Sequence, residues 1–159
     1  MPSPHPKIVE SPHYHLWTDA LHARALAHQA RNKWDRGTYV RWTVNTAWTT
    51  LEVACQDALQ DTSISYSFRK NLDKAIQNKS LPPLDWGQGL WQEVQKVQDC
   101  RKGYVHRFLT EPNLFPDIEV ADSTITVVRE AIVAIYTHAH RVVPAWVQDD
   151  EDRGWDVGP

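Results

Sequence analysis

The sequence predicts an all-α, antiparallel helical bundle of about five helices, and two observations carry that prediction. Apolar residues recur at three- and four-residue intervals through five separate segments, the spacing that lines one face of an α-helix. No stretch alternates apolar and polar residues long enough to form a half-buried strand. At 159 residues the chain is one domain by size and can bury a core without disulfide or metal staples. The expected organisation is a flexible N-terminal arm over residues 1–10, a single bundle over 11–143 and an acidic mobile tail over 144–159.

The first segment, residues 11–34, places Leu16, Ala20, Ala23, Ala27 and Ala30 at helical spacing, and Asp35-Arg36-Gly37 reads as the turn that closes it. The second, 38–60, repeats through Val44, Trp48, Leu51, Cys55, Ala58 and Leu59. A short third segment, 66–78, offers Phe68, Leu72, Ala75 and Ile76, and Pro82-Pro83 makes the stretch after it a connector. Asp85 with Gln88 three residues on resembles a capping box and opens the fourth segment, 85–110, with Leu90, Val94, Val97, Tyr104 and Phe108 on its apolar line. The fifth, 117–143, has the strongest pattern, from Ile118 through Ala121, Ile125, Val128, Ile132, Ile135 and Ala139 to Val142, a bundle or coiled-coil seam.

Composition narrows the function classes. Eight Trp point to ring-rich cores and interfaces, with Trp48 and Trp91 on or beside apolar stripes and so assigned to packing. Cys55 and Cys100 lack zinc spacing and read as reduced thiols of a cytoplasmic protein. The N-terminus has no apolar core of the kind a secretory signal needs, and no run suits a membrane span, so no membrane partner is expected. A net charge of −3 argues against indiscriminate nucleic-acid binding but leaves room for a local basic site.

That site is best sought at Cys100-Arg101-Lys102-Gly103-Tyr104-Val105-His106. Arginine is a permanent forked cation suited to phosphate, and histidine trades protons near neutrality. On a straight helix Arg101 lies within about 20° of Leu90, on the most buried-looking meridian, where a solvated arginine has no place. Two readings follow: a structural cation paired with a carboxylate, for which Glu52 is the candidate, or a cation that takes phosphate. Arg101 and His106 stand about 140° apart on an ideal helix, so a bend at Gly103 or a second protomer is needed to bring them to one pocket. Lys96, Lys102 and Arg107 add a basic face that suits RNA, with Lys102 four residues before His106 and on its side. The histidine pairs 13/15, 22/28 and 138/140 lack helical ligand spacing, so no metal site is expected.

The segment from Val97 to His106, on the penultimate long helix of a small all-α chain, resembles the HEPN family (higher eukaryotes and prokaryotes nucleotide-binding). A looser similarity extends over residues 38–143, where Trp48-Thr49-Thr50-Leu51-Glu52 followed by Ala58-Leu59 looks like the family's earlier helix. The resemblance implies a HEPN-like bundle that forms a homodimer with both Arg-x4-His motifs at a shared cleft. It also implies a metal-independent endoribonuclease without cofactor, often a toxin or defence effector held by an antitoxin or regulatory protein. Carried onto this chain, Arg101 and His106 are the catalytic pair, Lys102, Arg107 and Lys96 contact RNA, and Glu52 and Tyr104 support the site. Lys102 stands where active members commonly have Asn, Asp or His. Phe108 stands where members silenced by a nucleotidyltransferase have Tyr, which implies no such modification here. The alternative from another class is a catalytically silent helical module that binds RNA, nucleotide or a protein partner.

Overall fold

A computed structural model describes residues 12–106 and 114–152, with side chains from 13 to 105 and from 114 to 152. The expected arm over 1–10, Arg107, Phe108, the His106 side chain and the end of the tail lie outside the described residues.

Among the described residues five α-helices carry the fold: α1 (Pro12–Gln29), α2 (Lys33–Leu59), α3 (Phe68–Asn78), α4 (Gly89–His106) and α5 (Ile118–His138), followed by a 3-10 turn at Ala145–Gln148. The described residues form no strand, only an isolated bridge between Ser65 and Ser67. The predicted all-α bundle is therefore the observed architecture. At 27 residues α2 is about 40 Å long, and it touches each of the other four helices. Its line of Val44, Trp48, Leu51, Cys55, Ala58 and Leu59 is buried as expected, and so are Phe68, Leu72, Ala75 and Ile76 of α3. These meet Ile125, Val128, Ile132 and Ile135 of α5 in one core that also takes Trp17, Trp86 and Trp91. No helix of the described residues is long and apolar enough to cross a membrane.

Three boundaries differ from expectation, each for a local reason. The predicted turn at Asp35-Arg36-Gly37 lies inside the first turns of α2, because Asn32 caps that helix: its Oδ1 accepts from the Asp35 amide at 2.8 Å and its Nδ2 donates to Asp35 Oδ2. Gly37 is there for close approach, since a Cβ would stand 2.6 Å from the Leu114 carbonyl oxygen. Asp85 takes the Gly87 amide and the Gln88 side chain into a tight turn, so α4 starts at Gly89 and not at 85. The α5 helix stops at His138, where His140 turns left-handed at φ 55°, and leaves the seam residue Val142 exposed.

Residues 145–152, expected to be a mobile acidic tail, lie against α1 and α5. Val147 is fully buried, Trp17 Nε1 donates to the Asp149 carbonyl at 3.1 Å, and Arg129 donates to the Val147 and Asp149 carbonyls and to Asp150 Oδ1. Arg24 shares Asp150, and His22 meets Asp152 at 2.5 Å. The acidic residues thus answer cations that α1 and α5 already carry.

Candidate functional site

Positions 41, 45, 48 and 52 of α2 fall on one helical face, spaced by four, three and four. Within it the Trp48 indole N–H donates to Glu52 Oε1 at 2.7 Å, so this core tryptophan also holds a carboxylate in place. Across from it, α4 supplies Gln98, Arg101 and Lys102, and the loop before α3 supplies Ser65, Tyr66 and Ser67. Together with Trp48 and Glu52 these side chains line a cavity of about 510 Å3.

Arg101 is the unusual member. Its Nε is shut away from solvent and has no hydrogen-bond partner among the described residues, and no carboxylate of the described residues lies within ion-pair distance of its guanidinium. A buried guanidinium N–H without an acceptor costs about 1–3 kcal/mol, more for a charged group. Asn45 Oδ1, on the same face of α2 as Trp48 and Glu52, is the other buried polar side-chain atom without a partner among the described residues. Both unanswered groups therefore belong to the α2 and α4 faces that form or flank one cleft.

Glu52 is half-buried, and burial pushes its carboxyl above the usual carboxylate range. The Trp48 hydrogen bond and the nearby Arg101 charge pull it part of the way back. Arg101 acts on Glu52 through space and not through a direct bond, which sets aside the predicted structural ion pair in its simple form. Lys102 is exposed at the rim. Tyr104 is half-buried beside Cys100 and Arg41 and does not line the cavity; burial and its hydrogen bond with the Cys100 thiol hold its hydroxyl protonated. Lys96 points away into an exposed pair with Glu93 at 2.6 Å. The helix α4 continues through Gly103 without interruption. His106 is its last described residue, about 140° around the axis from Arg101.

Glu52, Arg101 and Lys102, named from the sequence, line the cavity; sequence reasoning did not find Trp48 as a polar partner, nor Gln98 or the 65–67 loop. Trp48 and Glu52 at i, i+4 were a readable signal, and so was Gln98 three residues before Arg101. The loop carried none, because it reaches the cleft only through tertiary packing. It is braced there: Ile64 is fully buried, Gln56 Nε2 donates to the Ile64 carbonyl at 2.7 Å, and Asn71 Nδ2 donates to the Ser63 and Tyr66 carbonyls.

A larger groove of about 780 Å3 runs along α5 past Arg129, Val133 and His138. It holds none of the sequence-predicted site residues, and two of its ionisable groups are already engaged, Arg129 with the tail and His138 with the Pro82 carbonyl. Chemistry converges in the smaller cavity. Among the described residues no group of three or more His, Cys, Asp or Glu gathers in metal-binding geometry. No protein-family model, curated protein or solved structure matches the chain.

Proposed function

We propose that the chain is a metal-independent endoribonuclease that takes the scissile phosphate of RNA at the Arg101 cleft. The observation that carries this reading is Arg101, partly buried at the wall of a cavity, with an Nε–H that no described residue accepts and no described carboxylate in ion-pair range. A phosphate suits the forked cation that this arginine brings to the cavity wall, and Lys102 at the rim adds a second positive charge. In the reaction the RNA 2′-hydroxyl loses its proton and attacks the adjacent phosphorus. The bond to the 5′-oxygen breaks, and that oxygen takes up a proton. The products are a 2′,3′-cyclic phosphate and a 5′-hydroxyl. Arg101 stabilises the charge that builds on the phosphoryl oxygens, and His106 moves the protons. Because an unbroken helix sets the two about 140° apart, the reading assigns His106 of a second copy to each cleft, which makes a homodimer part of the proposal. Regulation of such an activity by an antitoxin belongs to the same reading.

The same 140° separation favours a second reading, an RNA- or nucleotide-binding module without catalysis, in which Arg101 and Lys102 hold phosphate and His106 takes no part. Incubation of labelled RNA with the protein in EDTA separates the two. The expected result is cleavage with cyclic-phosphate ends, reduced about a hundredfold or more in Arg101→Ala and in His106→Ala. Binding of RNA that depends on Arg101, with no cleavage across a broad pH range, would establish the second reading instead.

A further inference from the structure

The cleft holds more than a phosphate requires. Beside Arg101 and Lys102 stands a carboxylate, which repels phosphate, and opposite is a tyrosine that is 77 % exposed. An exposed ring on a mobile loop would mean little, but this loop is fixed from three sides by Ile64, Gln56 and Asn71. Ser67, next to Tyr66, is held at φ 47°, a left-handed backbone that serine rarely adopts and that tends to persist where a site needs it. The backbone that carries the ring has thus lost its ordering cost before any ligand arrives.

We propose that the cleft takes a guanosine nucleotide: Tyr66 stacks on the base, Glu52 accepts its N1–H and 2-amino hydrogens, and Arg101 with Lys102 holds its phosphate. This rests on the reading of Arg101 as the phosphate site and adds the base to it. Glu52 Oε1 is fixed by Trp48, while Oε2 takes no hydrogen bond among the described residues and is free for a ligand. Guanine is the one common base whose Watson–Crick edge presents two adjacent donors to a single carboxylate. Adenine and cytosine each set an acceptor beside their amino group, and uracil flanks its N–H with carbonyls. Those acceptors would face the Glu52 carboxylate unpaired, which is how a buried polar site rejects the wrong ligand. Stacking on Tyr66 is indifferent to the base, so Tyr66 supplies affinity and Glu52 supplies choice. A cavity of about 510 Å3 falls in the size range of small-ligand sites.

The test is equilibrium binding of GMP, IMP, AMP, CMP and UMP to the full chain by calorimetry, alongside uridine oligoribonucleotides with and without one internal G. GMP is expected to bind about five- to a hundredfold tighter than AMP, with IMP, which lacks the 2-amino group, in between. Glu52→Gln should bring GMP down to the level of AMP, whereas Tyr66→Ala should weaken all five nucleotides together. A Glu52-dependent preference seen only with the G-containing strand supports the site and makes RNA, not free nucleotide, its source. Equal affinity for all five, lost in Arg101→Ala, overturns the guanine site and leaves the phosphate reading standing. Failure of the wild type to bind any nucleotide or RNA removes both.

Discussion

Glu52 shows how a functional demand is written against stability. Its carboxyl is held above the ordinary 4.5 by burial, so between 4.5 and that raised value the folded chain binds more protons than the unfolded one. Stability from this group is therefore fully present below pH 4.5 and is lost as pH rises through the folded pKa. Glu52→Gln removes the charge while keeping an oxygen for the Trp48 indole. It is expected to raise the urea midpoint at pH 7 and to make no difference at pH 4, measured by Trp fluorescence. An equal effect at both pH values would mean that desolvation of the charge is not what Glu52 costs. Arg101 was readable as a misplaced cation because its meridian is apolar. Its solitude was not, because whether a carboxylate reaches it depends on a rotamer of Glu52 that Trp48 decides.

The helices themselves were legible where one face is buried and blurred where contact geometry overrides local signals. Along α2, α3 and α5 the three-and-four spacing predicted most of the core, with Ile118 and Ala139 only partly buried and Val142 exposed at the ends of the last stripe. Gly37 looked like a helix stop and is instead a helix contact. Gly37 of α2 and Gly103 of α4 give opposite predictions for one substitution. At Gly103 a Cβ would meet nothing within 4 Å, so Gly103→Ala should gain up to about 1 kcal/mol of helix propensity. At Gly37 the same gain is set against a backbone oxygen 2.6 Å away. Overpacking of about 1–3 kcal/mol exceeds that gain, so Gly37→Ala should lower stability. Urea unfolding of both variants checks the two signs together.

Over the whole molecule, what the sequence hid is what long-range contact alone can make. Residues 145–152 offer only Trp146 and Val147 as apolar anchors amid four consecutive acids, a composition that reads as solvated tail. They are docked because Trp17, Arg24 and Arg129, distant in sequence, converge to receive their carbonyls and carboxylates. The 65–67 loop is hidden in the same way: no local period announces that Asn71 and Gln56 will hold it at the mouth of the cleft between α2 and α4. Class of fold and the facing of Glu52 and Arg101 follow from periodicity, whereas the walls of the cavity follow from topology.

One pair of groups has a practical use. The Cys55 thiol is fully buried and pushed far above its normal range by that burial, which keeps it protonated and unreactive. Cys100 is partly exposed and immediately precedes Arg101. A maleimide should therefore add once to the native chain and twice after denaturation, read by intact mass. That first adduct would set a dye one residue from the guanidinium, giving the cleft its own optical reporter without any engineered cysteine.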